Sequence, residues 1–173
     1  ESFGRYWPDP MYAVLREKRE LWNSHLTVVS GGEPFLWRDG ELGLLDLAAR
    51  HPSEFFLVYT NGTLITEDVA RRMGELRNVT PAISLEGFEA ETDARRGAGA
   101  FKTILAAFER MRRRGVPFGV SVTPTSRNWD VVTSDRFIDF CFEEQGAVYC
   151  WSFQYLPIGR APDMSLVVPP EAR

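Results

Sequence analysis

The sequence predicts an α/β fold in which parallel strands are covered by helices. Segments that are apolar along their whole length alternate with amphipathic segments, and the repeat is roughly thirty residues, the length of a βα unit. Strands that are apolar on both faces are typical of parallel sheets. Because 173 residues with 44% hydrophobic content can bury a sizeable core, we expect residues 1–173 to form a single domain.

The first half of the chain supplies three helices and two strands. Asp9 and Pro10 are typical of a helix start and predict a helix over residues 10–23. An apolar strand over residues 26–29 follows, then a short helix over residues 41–50. A second strand covers residues 55–59, and Thr66 caps a third helix, whose apolar positions are Val69, Met73 and Leu76.

The second half repeats the alternation. Residues 81–87 form a third strand, followed by a charged connection and a strongly amphipathic helix from Phe101 to the arginines at 112–114. Residues 118–123 form a fourth strand. Ser134 caps a helix that Gly146 ends, and residues 148–156 form a fifth strand.

Composition excludes several classes of protein. The net charge of −4 disfavours a nucleic-acid surface, which needs a basic face. We find no apolar run near the roughly 18 residues of a membrane span and no leader-like start, so we expect a cytoplasmic protein with no membrane partner. Cys141 and Cys150 are the only cysteines, too few for a disulfide scaffold or a four-ligand zinc site.

Every predicted strand ends in small or polar residues. The carboxyl ends of parallel strands share one rim, whether the sheet closes or stays open, and ligands bind there. Five such endings together favour a ligand site over a series of plain turns. The residues at these endings are Gly31, Gly32 and Glu33; Thr60 and Asn61; Ser84 and Glu86; Ser121, Thr123 and Thr125; Gln154 and Tyr155.

The segment after the first strand is the most specific of these endings. Gly31 and Gly32 allow positive φ and close approach of a ligand to the backbone, and Pro34 stiffens the exit. Glu33 can accept hydrogen bonds from a ligand ammonium group. Beyond Glu86, the pair Arg95 and Arg96 can grip a ligand carboxylate. The alternatives are a tight turn with a solvated Glu33 and a solvated arginine pair.

No catalytic residue is identified from local motifs. His25 and His51 both fall at the opposite ends of their strands, where we expect structural roles. Aromatic side chains alternate along the fifth predicted strand, which favours a packed strand over a substrate-binding wall. These side chains are Tyr149, Trp151, Phe153 and Tyr155.

Taken together, the strand endings resemble the radical S-adenosylmethionine (radical SAM) superfamily, and within it the members with a Gly-Gly-Glu-Pro segment. The resemblance rests on five segments in the expected order and spacing. They are Ser30-Gly31-Gly32-Glu33-Pro34, residues 59–65, residues 83–87, the Asp93-to-Phe101 block and residues 155–160.

The resemblance implies a partial (β/α)6 TIM-like barrel that cleaves SAM reductively at a [4Fe-4S] cluster. The resulting 5′-deoxyadenosyl radical would abstract hydrogen from a substrate, which we expect to be a small molecule, a peptide or a cofactor precursor. An electron donor is an implied partner. The cofactors carry this chemistry and the protein positions them.

The same resemblance implies roles for the rim residues. The segment from Ser30 through Gly31, Gly32 and Glu33 to Pro34 would hold the methionine ammonium of SAM, and Arg96 or Arg95 its carboxylate. The remaining positions would contact the ribose, line the rim or border the adenine. They are, in that order, Ser84 and Glu86; Thr60, Asn61 and Thr123; Tyr155 and Leu156.

Two features depart from the family pattern. The cluster-binding CxxxCxxC is absent, and the spacing of Cys141 and Cys150 does not replace it. We expect this motif and a first strand to precede Glu1, both chain ends to be cut and the sequence as given to be inactive, with a cluster only where the preceding segment is present. Glu86 also stands where relatives often carry Asp.

Two other classes remain open. A SAM- or nucleotide-binding module without a cluster, or a scaffold, is the second hypothesis. An unrelated α/β-barrel hydrolase or isomerase is the third, and it is weakened by the lack of histidines or paired carboxylates at strand ends. Without its first strand the sheet would expose an edge, which predicts self-association.

Overall fold

A computed structural model of the chain describes residues 11–158 and 161–170. The predicted cap at Asp9 and Pro10 lies outside these residues. In chain order the elements are α1 (Met11–Trp22), β1 (Leu26–Val29), β2 (Arg38–Asp39), β3 (Leu42–Gly43), α2 (Leu44–Arg50), β4 (Phe55–Thr60), α3 (Glu67–Leu76), β5 (Val79–Ser84), α4 (Glu89–Arg96), α5 (Ala100–Arg113), β6 (Gly119–Val122), α6 (Trp129–Val132), α7 (Asp135–Asp139) and β7 (Cys150–Ser152).

Five strands form one parallel sheet in the order β1-β4-β5-β6-β7, which follows the order of the chain. Sequential order with a helix after each strand curls the sheet into a half-barrel. The register pairs Val29 with Val58, Ser84 with Ser121 and Val122 with Ser152, so the carboxyl ends of all five strands lie at one rim. The predicted parallel α/β architecture is confirmed.

The hydrophobic core lies between the sheet and the helices. Alternate residues of the strands, such as Phe56 and Val58 of β4, belong to one buried cluster with α3 and α5 residues. Within it, the rings of Phe108 and Phe118 stack with their centroids 4.8 Å apart. This layer is what fixes the strand ends relative to each other.

A second layer of contacts fills the concave side of the sheet. A Cβ on Gly119 would lie 2.2 Å from ring atoms of Tyr149, so glycine leaves the room that this ring occupies. The Tyr149 hydroxyl donates to the Pro81 carbonyl at 3.0 Å and lies 3.0 Å from Thr80 Oγ1. Burial raises the pKa of Tyr149 to about 12.

A buried ion pair ties α1 to the amino-terminal end of the sheet. Glu54 is 3% exposed, and it accepts hydrogen bonds from Lys18 Nζ at 2.7 Å and from Thr27 Oγ1 at 2.5 Å. Burial raises the pKa of Glu54, but the hydrogen bonds from Lys18 and Thr27 outweigh it and hold the pKa below 4.5. No helix within the described ranges is long and apolar enough to cross a bilayer.

Apart from small shifts at element ends, such as the third strand at Val79–Ser84 instead of residues 81–87, and the short helix α6, the observed elements differ from the predicted ones in four places. The helix predicted over residues 41–50 begins only at Leu44, because a β2-β3 hairpin turning at Gly40 precedes it. The charged connection after Glu86 contains α4, whose only buried residue is Thr92, so apolar periodicity could not reveal it. The other two differences concern α7 and β7.

The helix capped by Ser134 changes at Phe140 into a π-helical turn, Phe140–Glu144. The fifth strand covers Cys150–Ser152 instead of residues 148–156. Its partner β6 ends at Val122, which pairs with Ser152, so the residues beyond have no strand to continue the ladder.

Candidate functional site

The segment after β1 presents bare backbone to solvent. Ser30, Gly31 and Gly32 are exposed, and Gly31 adopts a φ of +130°, which favours glycine. A Cβ built on Gly31 or Gly32 would meet no atom within 4 Å. The space next to both glycines is therefore open to a ligand.

Glu33 joins this segment to the end of the neighbouring strand. Its Oε1 accepts hydrogen bonds from Thr60 Oγ1 at 2.7 Å and from Phe35 N at 3.2 Å, and its Oε2 accepts one from Asn61 N at 3.0 Å. Pro34 is buried and begins the short 3-10 turn Pro34–Leu36. The polar endings of β1 and β4 are thus directly bonded.

The loop after β4 is held tightly by its own side chains. Asn61 Oδ1 accepts hydrogen bonds from the backbone N and the hydroxyl of Thr63, at 2.8 and 2.7 Å. Gly62 has a φ of +79°, and a Cβ there would lie 3.1 Å from Ile83 Cγ2. Glycine is therefore required for the turn and for its close approach to β5.

A buried carboxylate with two guanidinium groups follows β5. Glu86 is 2% exposed, and its oxygens accept hydrogen bonds from Arg95 Nη1 at 2.6 Å and from Arg96 Nη2 at 2.5 Å. Both arginines lie in the last turn of α4, and their side chains are 46% and 26% exposed. One carboxylate against two guanidinium groups leaves positive charge at this part of the rim.

Ser84 and Ser121 lie side by side on β5 and β6, with their hydroxyl oxygens 3.3 Å apart. Thr123 follows on β6 and is half-buried. Beyond β7, the Tyr155 hydroxyl donates to the Asp163 carbonyl at 3.2 Å, and Leu156 is 57% exposed. The hydrogen bonds among the predicted residues therefore form three groups. Glu33 with Thr60 and Asn61 forms the group after β1 and β4, and Glu86 with the two arginines forms the group after β5. Ser84 with Ser121 forms the group between β5 and β6.

Asn128 is a rim residue that the sequence did not indicate. Its Nδ2 donates to the Glu86 carbonyl at 2.7 Å, and its Oδ1 accepts hydrogen bonds from the Thr125 backbone and hydroxyl. It is 5% exposed and joins the β6 ending to the β5 ending. Asn128 and Glu86 are 42 positions apart, and no local pattern predicts a bond over that separation.

The aromatic residues of the last strand form an exposed wall. Trp151 is 47% and Phe153 43% exposed, and Phe153 meets the ring of Tyr59 edge-on at 5.2 Å between centroids. Tyr149 packs on Gly119 and Phe153 packs on Tyr59, as the packed-strand interpretation expects, while Trp151 and Phe153 also remain partly exposed. The wall borders the concave side of the half-barrel and is accessible from the rim.

The described residues do not fit an iron–sulfur cluster. Within residues 11–158 and 161–170, no three His, Cys, Asp or Glu side chains come together as metal ligands. Cys141 is buried, and burial raises its pKa to about 12; burial also raises the pKa of Cys150. Clusters are held by thiolates, which these environments disfavour.

A parallel half-barrel whose glycine-rich and charged strand endings share one rim defines the class of α/β-barrel proteins that hold a ligand at the carboxyl ends of their strands. Within that class, the chain belongs to the radical SAM superfamily, because the model of that family matches residues 1–137. The family predicted from the sequence is confirmed.

Two proteins with sequences similar to this chain are named as enzymes. The chain is 31% identical to an AdoMet-dependent heme synthase of Methanosarcina barkeri over 149 residues, which cover 83% of this chain and 40% of the relative. It is 38% identical to the mycofactocin maturase MftC of Mycobacterium tuberculosis over 112 residues, 63% of this chain and 27% of the relative. The chain thus spans less than half the length of either relative.

Two solved structures share the fold. The structure of native anSMEcpe with bound AdoMet superposes with a TM-score of 0.71 over 96% of this chain and 48% of its own, at 20% identity. SuiB of Streptococcus suis bound to the precursor peptide SuiA superposes with a TM-score of 0.65 over 84% of this chain and 32% of its own, at 16% identity. The partial barrel predicted from the sequence is confirmed.

Proposed function

We propose that this chain forms the SAM-binding rim of a radical SAM enzyme. The observation that carries the proposal is the open backbone of Gly31 and Gly32 on the same rim as the guanidinium groups of Arg95 and Arg96. A ligand with an ammonium and a carboxylate matches these two features, and the methionine end of SAM has both. Membership of the superfamily supports the same ligand.

Each part of SAM has a counterpart among the described residues. Backbone carbonyls of Gly31 and Gly32 bind the ammonium, and Arg96, the less exposed of the two arginines, binds the carboxylate while Glu86 holds it in place. Ser84 and Ser121 offer hydroxyl groups to the ribose. The adenine contacts the segment beyond β7, through Tyr155 and Leu156.

SAM, when bound, supplies the chemistry of the superfamily, which is abstraction of a hydrogen atom from a substrate. This chain's residues bind and orient it at the rim, next to the concave side of the barrel. The iron–sulfur step is assigned to none of the described residues, because they do not bring the required thiolates together. We also propose that the reducing equivalents come from an external electron donor.

The substrate is a cofactor precursor with a flat apolar face. The exposed rings of Trp151 and Phe153 line the concave side, and stacking on aromatic rings suits a flat ligand. The identity to a heme synthase over most of this chain supports this class. A peptide is the alternative, which the peptide complex of SuiB illustrates only at the level of the fold.

A module that binds SAM without catalysis is the second candidate. The specific observation in its favour is that the described residues form no cluster of metal ligands. Anaerobic iron–sulfur reconstitution of the full-length protein separates the two. Deoxyadenosine formed from SAM on adding reductant supports the enzyme, and SAM binding with no iron uptake and no deoxyadenosine supports the module.

Isothermal titration calorimetry with SAM tests the proposal directly. We expect binding by the wild-type chain and a loss of about tenfold in affinity for Arg96→Ala, because a charge-assisted hydrogen bond is removed. Arg113→Ala is the matched control, because Arg113 pairs with Glu67 on the surface of α3. Wild-type protein that does not bind SAM, or equal losses in both variants, would contradict the proposed site.

We further propose that the free edge of β1 pairs with a second copy of the chain. Within the described residues β4 is the only strand that pairs with β1, and the β1 side chains Leu26 and Val28 are 49% and 54% exposed. Two free cysteines, with no disulfide, support a reducing compartment such as the cytoplasm.

A further inference from the structure

We propose that Thr60 is a positioning residue for the ammonium site, acting through the carboxylate of Glu33. This inference rests on the proposed SAM function. Its starting point is that Glu33 is not a free acceptor facing the ligand. Three hydrogen bonds, from Thr60, Asn61 and Phe35, already occupy its two oxygens.

The direction of each bond follows from the groups involved. Thr60 Oγ1 accepts a hydrogen bond from Gly62 N at 3.1 Å, so its single proton is directed to Glu33 Oε1 at 2.7 Å. Asn61 contributes its backbone N–H, which cannot be altered by changing its side chain. Thr60 is therefore the one side chain in this network whose hydroxyl can be removed selectively.

The glycines next to Glu33 have no other attachment. Within the described chain, no backbone hydrogen bond joins Gly31 or Gly32 to another residue, and no atom lies within 4 Å of a Cβ built on either. On one side they continue from β1, and on the other they are held by the Glu33 side chain. The bond from Thr60 thus fixes where the glycine carbonyls point.

Burial makes this bond effective. Thr60 is 2% exposed, so water does not compete for its hydroxyl, and a charge-assisted hydrogen bond is stronger than a neutral one. Without it, Glu33 keeps the bonds from Asn61 N and Phe35 N but loses the shortest of its three bonds, and the two carbonyls are held less firmly. We therefore expect weaker binding of a ligand that contacts those carbonyls, namely one with an ammonium group.

The test compares two ligands on three proteins by calorimetry with the full chain. The ligands are SAM and its analogue without the α-ammonium group, and the proteins are wild type, Thr60→Val and Thr60→Ser. We expect Thr60→Val to bind SAM about tenfold more weakly and the analogue with unchanged affinity. Thr60→Ser, which keeps the hydroxyl, binds both ligands as wild type does.

Glu33→Gln is a second test variant, to be used if the Thr60→Val protein does not fold. In Glu33→Gln the amide NH2 replaces one of the two carboxylate oxygens. It must then face a donor, either Asn61 N or the pair Phe35 N and Thr60 Oγ1. We therefore expect this variant to lose affinity for SAM and to keep its affinity for the analogue without the ammonium group. If both ligands bind more weakly by the same factor, or if neither affinity changes, the proposed role of Thr60 is overturned and the proposed SAM site is not. Wild-type protein that binds neither ligand would instead overturn the SAM site itself.

Discussion

Arg96 Nη2 lies 2.5 Å from Oε1 of Glu86, a carboxylate whose side chain is only 2% exposed. Arg95 occupies the other oxygen of the same carboxylate at 2.6 Å. The pair links the last turn of α4 to the end of β5. One buried carboxylate therefore holds this part of the rim together.

Glu86→Gln is expected to lower the free energy of unfolding by about 2 kcal/mol, because the amide oxygen accepts from one arginine only, the amide nitrogen faces the other donor, and the attraction between opposite charges is lost, while the partly exposed arginines regain water. Urea unfolding measures the change. Glu89→Gln is the control, because Glu89 is 57% exposed and lies 3.7 Å from Lys102. Equal changes in the two variants would show that burial of Glu86 adds nothing.

Lys18→Met is expected to cost about 3 kcal/mol at neutral pH, because it leaves the Glu54 carboxylate buried without its cation. In the wild type the pKa of Glu54 is lowered below 4.5, so this contribution is present above pH 4.5 and is lost as the pH falls through the folded pKa. In the variant, burial is opposed only by the Thr27 hydrogen bond and the Arg19 charge, so the pKa of Glu54 is higher than in the wild type.

The difference in unfolding free energy between wild type and Lys18→Met is therefore expected to shrink as the pH falls toward 4, because the variant then protonates Glu54. Urea unfolding at several pH values measures it. Lys102→Met, at a site 78% exposed, serves as the control with no pH-dependent difference. A constant difference across the range would disprove the linkage to Glu54.

Gly119→Ala is expected to destabilise the fold by about 3 kcal/mol, because the new Cβ would lie 2.2 Å from the Tyr149 ring. Thermal unfolding of the single variant and of the double variant with Tyr149→Leu checks the cause. A smaller ring-free side chain relieves the overlap, so the double variant loses less than the sum of the single variants. Additive losses would point to a cause other than this contact.

Gly32→Ala is expected to leave the free energy of unfolding unchanged, since its Cβ meets no atom within 4 Å and its φ is not positive. The same methyl group projects into the space that a ligand needs, so SAM affinity falls about tenfold or more, consistent with the steric cost of overpacking. Calorimetry with SAM and thermal unfolding separate the two effects. Unchanged SAM affinity would remove Gly32 from the site.

Val28→Lys is expected to reduce self-association, because a lysine on a free strand edge opposes pairing with another chain. Sedimentation velocity over a range of concentrations measures the effect. Ile138→Lys adds the same charge on helix α7, at a side chain 41% exposed, and should not alter association. A wild-type chain that is monomeric at every concentration would exclude edge pairing.

Sequence patterns alone determined the order of the five parallel strands and of the longer helices between them, the parallel sheet and the rim at which polar strand endings meet. Burial on both strand faces, helix caps and glycine positions depend on residues that are close in sequence, so local patterns predict them. The five segments from Ser30 to Arg160, taken in their order and spacing, also carried enough information to indicate the family, which the match over residues 1–137 confirms.

Only the tertiary structure decided which rim groups bond to each other. Glu33 with Thr60, Glu86 with Arg96 and Asn128 with Glu86 join residues 27, 10 and 42 positions apart, and no local pattern encodes such pairs. It also exposed Trp151 and Phe153, because solvent access depends on where neighbouring strands end. Alternation along the chain shows that side chains share a face, and only packing shows what that face meets.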